Sequence, residues 1–102
     1  MGWKIVWLEI ASDDLKGIVE HVAQDDPEAA EREGLRIIRK VESLQNLPDR
    51  GARVPERDEP FLHQVLHGSY RIIYKIRESR GAVEIWRIWH TSRESLDLAP
   101  LD

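Results

Sequence analysis

The chain has 102 residues, 41% hydrophobic and 33% charged, with a formal net charge of −4 at neutral pH. This composition excludes a disordered chain, and we expect residues 1–102 to form one folded domain. The absence of cysteine excludes disulfides and thiolate metal sites. Residues 1–34 contain nine acidic and three basic residues, so cationic side chains are concentrated in the rest of the chain. The acid excess argues against a dedicated nucleic-acid binder, because basic residues supply most of the affinity for phosphate.

The sequence also predicts where the protein works. No apolar run approaches the roughly 20 residues of a membrane-spanning helix. The first residues lack a basic region followed by a long apolar segment, so no signal peptide is predicted. We therefore expect a cytoplasmic protein that makes no contact with a membrane.

The N-terminal quarter predicts a strand followed by a helix. Residues 3–8 alternate as a strand does, with Trp3, Ile5 and Trp7 on one face. Ser12 is placed as the helix N-cap, with two aspartates following in the first turn, where acids favour the helix dipole. The helix is expected to end near Gln24, and its apolar stripe is Leu15, Ile18, Val19, Val22 and Ala23.

A second helix is predicted to start at Asp26, because Pro27 then occupies the first helical position. Glu28 and Arg32 have the i, i+4 spacing of a surface pair on this helix. Pro48 and Gly51 end it, and residues 48–60 are predicted to be an irregular loop. The expected buried stripe of the second helix is Ala30, Gly34, Ile37, Ile38, Val41, Leu44 and Leu47.

Three strands complete the prediction, over residues 61–66, 68–76 and 83–93, with a turn at 78–81 between the last two. The order β-α-α-β-β-β predicts an α+β fold, in which a two-helix hairpin packs on one face of a small, twisted, mainly antiparallel sheet. In the third strand, alternate residues form one packed face (Tyr70, Ile72, Tyr74, Ile76) and one largely cationic face (Arg71, Ile73, Lys75, Arg77). We expect the cationic face to meet an anionic partner.

The last strand carries two tryptophans that bear on binding. Trp86 and Trp89 are three residues apart, so strand alternation places them on opposite faces and leaves one of them partly exposed. Exposed tryptophans and arginines are frequent anchors of protein interfaces, whereas buried ones only fill a core. The residues predicted to bind a partner are Arg71, Lys75, Arg87, Trp89 and Arg93.

Catalytic chemistry is a second possibility, and RNA cleavage is the sharpest form of it. His63 or His90 could transfer protons near neutral pH, while Arg71 and Arg93 could hold a phosphate. The alternative is that these arginines are solvated sheet residues and that His90 simply ends a strand. His63 and His67 are well separated along one strand, so no metal site is predicted, and no motif predicts a cofactor.

The chain resembles toxins of the RelE/ParE superfamily, from bacterial type II toxin–antitoxin systems. The resemblance covers almost the whole domain and has the fold reached above. Its pieces, in order, are Ala11-Ser-Asp-Asp-Leu-Lys-Gly-Ile18, Asp26-Pro-Glu-Ala-Ala30, Ile38-x-x-Val-x-x-Leu-x-x-Leu-Pro-x-x-Gly51, Tyr70-Arg-Ile-Ile-Tyr74 and Ile88-Trp-His-Thr-Ser-Arg93.

This resemblance implies an antitoxin partner whose C-terminal segment wraps the toxin, in a toxin–antitoxin hetero-oligomer. RelE-like members cut messenger RNA on the ribosome, whereas ParE-like members are reported as inhibitors of DNA gyrase. Arg71 and Arg93 match arginines of the RelE-like set, but residues 61–66 contain no lysine and no tyrosine follows Arg93. A further ribonuclease subgroup uses histidine with a carboxylate, which keeps His90 with Glu56 or Glu59 as a catalytic option.

The acidic net charge and the Ile88-Trp-His-x-x-Arg93 ending favour a ParE-like toxin that inhibits gyrase by binding. A RelE-like ribonuclease is the alternative, and a degenerate binding module without toxicity is the third interpretation.

Overall fold

The computed structural model, which describes residues 2–93, 95–99 and 101, confirms the predicted α+β architecture and its order of elements. The N-terminal strand leads into a helical hairpin, and the remaining strands follow the second helix. The strands and helices are β1 (Lys4–Trp7), α1 (Glu9–Ala23), α2 (Pro27–Glu42), β2 (Ala52–Arg53), β3 (Leu62–His67), β4 (Tyr70–Arg77) and β5 (Ala82–His90).

The strands form one sheet in the order β1-β5-β4-β3-β2. β1 runs parallel to β5, and the other neighbouring strands are antiparallel. This confirms the predicted mainly antiparallel sheet. Between the two parallel strands the chain passes through the helical hairpin and then through β2, β3 and β4. β2 is an addition to the prediction, because two residues of the proline-rich loop pair with Gln64 and His63 of β3.

The two helices differ in how well their starts follow from sequence. Asp26 caps α2 as predicted, since its Oδ1 accepts hydrogen bonds from the backbone N–H groups of Glu28 and Ala29, both at 3.1 Å. The N-cap assignment of Ser12 is wrong, because α1 already begins at Glu9. The chain turns directly from β1 into the helix, and the carbonyl of Leu8 accepts from Ala11 and Ser12.

One hydrophobic core lies between the helices and the sheet face that they cover, here called the front face. The α2 stripe is confirmed from Ala30 to Leu44, with Ile38 half-buried. Leu47 is an exception at 60% exposed, because α2 ends at Glu42 and a single-turn 3₁₀ helix redirects the chain. The core consists of Ala11, Ile37, Val41, Leu44, Val65, Ile72, Tyr74, Ile76, Val83, Ile85 and Ile88, with Trp3, Ile5 and Trp7 packed against it.

A second core covers the opposite face of the sheet, here called the back face. It is formed by Val54, Leu62, Ile73, Trp86, Trp89, Leu96 and Leu98. The tail after β5 crosses this face, and Arg57 fixes it by donating to the carbonyls of Leu98 (3.4 Å) and Leu101 (3.0 Å). The expectation of an open cationic face is therefore wrong, since loop and tail cover it.

A β-bulge in β5 explains why both late tryptophans are buried. Ile73 of β4 pairs with Arg87, but the next residue, Tyr74, pairs with Ile85, so Trp86 is an extra residue in β5. The bulge shifts the alternation and brings Trp86 and Trp89 into the same back-face core, at 0% and 5% exposed. The prediction that these tryptophans lie on opposite faces is wrong for this reason.

Within the described residues, we find no helix long and apolar enough to cross a membrane.

Candidate functional site

The cations of β4 are held by acidic side chains of the same chain. Arg71 forms a bidentate pair with Glu56, with both N···O distances at 2.7 Å, and its Nε donates to Gln64. Lys75 pairs with Glu59 from the same loop. The hydrogen bonds from Arg71 and Lys75 hold the pKa values of Glu56 and Glu59 below the ordinary value. These cations are therefore neutralised within the chain.

Arg77 and Trp86 meet the same acidic residue, Glu84. Arg77 Nε donates to Glu84 Oε1 at 2.9 Å, and the indole N–H of Trp86 donates to the same oxygen at 3.3 Å. Burial raises the pKa of Glu84, but the hydrogen bonds from Arg77 and Trp86 outweigh it, so the net pKa is lowered. Arg57 and Lys75 lie 5.5 Å from the ring centre of Trp86. The back face is thus a layer of charge pairs over a buried indole.

Arg87 is held at the free edge of β5, where β1 has already ended. Asp14 of α1 accepts from Arg87 Nε at 2.7 Å and Nη2 at 2.9 Å, and it also accepts from the backbone N–H of Ile88. The hydrogen bonds from Arg87 to Asp14 raise the pKa of the guanidinium further. Arg87, proposed from sequence as a partner contact, is thus engaged inside the protein.

The four residues of the nuclease hypothesis do not come together. His63 lies near the start of β3, where it contacts the carbonyl of Gly51 at 2.9 Å and stacks on Tyr74. Arg71 is on the back face with Glu56. His90 is on the front face, edge-on to Tyr70 at 5.1 Å between ring centres.

Arg93 lies beyond the end of β5, and its guanidinium carbon lies over Trp89, 3.9 Å from the ring centre. Because Glu56 and Glu59 pair with Arg71 and Lys75 on the back face, they are not positioned to assist His90. Of the four nuclease residues, His90 and Arg93 share a cavity.

The cavity of His90 belongs to a groove at the end of the sheet, which we call the end groove. It consists of two cavities of about 500 and 470 Å³ on either side of Tyr70 and His90. The first cavity is lined by side chains of α2 and the β3–β4 turn, including Arg32, Glu33, Arg36, His67 and Ser69. The second is lined by α1 and the chain after β5, including Asp13, Asp14, His21, Ser92 and Arg93.

Sequence reasoning missed Arg32, Arg36 and His67 as possible site residues. The signal for the two arginines was available, because they are four residues apart and so share one face of α2. The expected surface pair between Glu28 and Arg32 does not form an ion pair. His67 could not be recognised without the fold, since its partner Glu33 is on the other side of the groove.

Hydrogen bonds fix the polar groups in the end groove. His67 Nε2 lies 2.8 Å from Glu33 Oε1. The backbone N–H of Ser92 donates to His90 Nδ1 at 3.0 Å, which assigns the His90 proton to Nε2. Burial and the nearby Glu33 carboxylate raise the pKa of Tyr70. The groove therefore offers half-buried aromatic rings between arginines.

A second, apolar groove runs along the helical hairpin, and we call it the hairpin groove. It has a volume of about 550 Å³, and its walls include Trp7 of β1, Leu15 and Val19 of α1, and Ile38 of α2. These four side chains are half-buried in the chain alone. Such a surface fits the apolar face of an amphipathic helix.

In the described part of the chain, no group of three or more histidine, aspartate or glutamate side chains is placed to hold a metal ion.

Comparisons with known proteins identify the family. The model of the family described as "ParE toxin of type II toxin-antitoxin system, parDE" matches residues 5–95. A solved chain from the chromosomal ParDE system of P. aeruginosa superposes with a TM-score of 0.73 at 22% identity, covering 88% of this chain and 97% of that one. No curated protein matches the sequence.

Structures from RelE-type systems share the fold as well. A chain of the RelBE toxin–antitoxin complex from Mycobacterium tuberculosis gives a TM-score of 0.65 at 21% identity, covering 88% of this chain and 99% of that one. A mutant E. coli RelE toxin in the free state gives 0.58 at 15% identity, with coverages of 90% and 86%. At these identities the likenesses show a common fold.

Proposed function

The chain belongs to the ParE toxin family of type II toxin–antitoxin systems, and we propose that it blocks DNA gyrase by binding to it in the cytoplasm. A cognate antitoxin neutralises it by covering the binding surfaces. The observation that carries the choice of a binding mechanism is the dispersal of the nuclease residues. His63, Arg71 and His90 lie at different ends or on different faces of the sheet.

General acid–base cleavage of RNA needs a base, an acid and a phosphate-binding cation within hydrogen-bond reach of one phosphodiester. Arg71 is committed to Glu56 and Gln64 on the back face, while His90 contacts Tyr70 on the front face. Binding to another protein makes no such demand, because anchors spread over a surface act together. This arrangement supports inhibition of the target by binding rather than by cleavage of RNA.

The hairpin groove supports the antitoxin half of the proposal. Trp7, Leu15, Val19 and Ile38 form an apolar strip that an amphipathic antitoxin helix would bury. Lys16 and Glu20 border this strip and can set the register of the helix. This replaces the sequence-based idea of contacts through exposed late tryptophans, since Trp89 is 5% exposed.

A ribosome-dependent ribonuclease is the second candidate, and one observation favours it. His90 and Arg93 line one cavity, His67 lines the adjoining one, and two histidines with an arginine are groups that can act on a phosphodiester. In this candidate the site would be the end groove rather than the cationic face of β4.

Controlled expression of the toxin in bacteria without antitoxin, followed by pulse-labelling of DNA and protein, separates the candidates. We expect DNA synthesis to stop first while translation continues. An immediate stop of translation with cleaved messenger RNA would establish the ribonuclease instead. Normal growth with folded toxin present would indicate the degenerate binding module.

A further inference from the structure

The arginines of the described residues fall into two groups. Most have a carboxylate partner within the chain: Arg53, Arg57, Arg71, Arg77, Arg80 and Arg87. The others have no ion pair in the described part of the chain: Arg32, Arg36, Arg39, Arg50 and Arg93. Acid is not scarce, because the chain has 19 acidic against 15 basic residues. A shortage of carboxylates in the chain therefore does not explain why these five arginines lack an ion pair among the described residues.

Three of these unpaired arginines line the end groove. Arg32 and Arg36 line its first cavity, and Arg93 lines the second, where its guanidinium carbon lies 3.9 Å from the ring centre of Trp89. Stacking orients a guanidinium without using its N–H groups, which stay available for a carboxylate or phosphate. The end groove thus has cations at both ends.

The acidic side chains in the groove are mostly occupied. Glu33 contacts His67, and Asp14 accepts from Arg87 and Ile88. Asp13 is exposed at the border of the second cavity. Between the two cationic ends lie the rings of Tyr70 and His90, both half-buried. Along the groove, a cationic surface is followed by an aromatic surface and then by a second cationic surface.

We propose that the end groove binds an extended acidic segment of a protein partner, with an apolar side chain on Tyr70 and His90 and carboxylates on the arginines at either end. The inference rests on the proposed function, in which the toxin acts and is neutralised through protein partners. Arginine forks bind carboxylates through paired hydrogen bonds, and aromatic rings supply the apolar contact. A peptide is chosen over a nucleic acid because it can place a single apolar side chain on the rings of Tyr70 and His90 between carboxylates that meet the arginines.

The first test is a titration of the full chain by nuclear magnetic resonance with the acetylated, amidated peptide Glu-Glu-Leu-Glu-Glu. Five extended residues span roughly 17 Å, which suits a groove of two adjoining cavities. We expect saturable shifts at Tyr70, His90 and Ser69, weaker at high salt. The neutral peptide Gln-Gln-Leu-Gln-Gln, of nearly the same shape, should bind at least about tenfold more weakly.

Matched variants locate the site. The double variant Arg32→Gln, Arg36→Gln should bind the acidic peptide at least about tenfold more weakly than the unsubstituted chain does, because charge-assisted hydrogen bonds are lost. Arg39→Gln removes an unpaired arginine of the same helix that does not line the groove, and should change affinity less than about twofold. A thermal melt of each variant verifies that it is folded.

Three results would overturn the inference: no binding of the acidic peptide, equal binding by the Arg32, Arg36 double variant, or preferential binding of 5′-phosphorylated dinucleotide dTdT. The last would assign the groove to nucleic acid. None of these readouts involves gyrase, so the inference can fail while the proposed target stands. Peptide binding by a chain that leaves DNA synthesis untouched would reject the target and keep the site.

Discussion

The back face and the end groove contain the same kinds of residue, but only the end groove leaves them available. On the back face, Arg71 and Lys75 are paired with Glu56 and Glu59 and the tryptophans are buried. In the end groove, Arg32 and Arg36 form no ion pair with any described residue, and the aromatic rings are half-buried. The back face therefore contributes to stability, whereas the end groove is the proposed binding surface.

A row of cations on a strand does not by itself predict an anion site. The loop at residues 54–60 supplies acids at the places where β4 presents its cations. A site is better recognised by cations that the rest of an acidic chain has left unpaired. Two substitutions on the back face and one at the Asp14–Arg87 pair beside the free edge of β5 test this division, each with a control outside those contacts.

The largest effect is expected for Trp86→Ala in the back-face core. Trp86 is 0% exposed, so the loss of its ring leaves a cavity and should lower the free energy of unfolding by about 3–5 kcal/mol. Arg36→Ala in the end groove should change it by less than about 0.5 kcal/mol. Urea unfolding followed by circular dichroism measures the free energy of unfolding of both variants. Equal losses of stability would contradict the assignment of stability to the back face and of binding to the end groove.

A smaller loss is expected for Asp14→Asn, which weakens the support of Arg87 and Ile88 while keeping the shape of the side chain. Arg87 and Asp14 side chains are 9% and 11% exposed, so we expect a cost of about 2–3 kcal/mol. Asp13→Asn is the matched control, because Asp13 is the exposed neighbour on the same helix. Its unfolding midpoint in urea should remain near that of the unsubstituted chain.

The smallest effect concerns the pH dependence of the back-face pairs. The pKa of Glu59 is lowered in the folded chain, so this residue stabilises the fold above the ordinary pKa of 4.5 and stops doing so as pH falls through the lowered value. Glu59→Gln should cost less than about 1 kcal/mol at pH 7. Its stability should also fall less steeply below pH 4.5.

The control for that experiment is Glu31→Gln, which removes an exposed acid of α2. If both variants lose stability on acidification as steeply as the unsubstituted chain, the Lys75–Glu59 pair does not stabilise the back face.

The sequence predicted those parts of the fold that depend on local patterns. Asp26 with Pro27 fixed the start of α2, and Gly81, with a φ of 59°, ends the predicted turn before β5. The bulge at Trp86 depends on pairing with β4, so alternation alone could not reveal it. The back-face tail had a local signal in Leu96 and Leu98, but its burial depends on where the sheet places it.

The candidate site was less predictable, because it joins distant parts of the chain. Arg36, Tyr70 and His90 come from one helix and two strands. His90 and Arg93 were selected from sequence and do line the end groove, whereas Arg71 and Lys75 were selected for a face that the chain itself covers. Family membership, not the pattern of single residues, identified the protein as a toxin.

The most direct test of the proposed function is a supercoiling assay with purified DNA gyrase and relaxed plasmid, in the presence of purified toxin. We predict that the toxin stops supercoiling in proportion to its concentration, and that it cuts no messenger RNA in a purified translation system. Unimpaired supercoiling together with cleavage of messenger RNA on the ribosome would contradict this account.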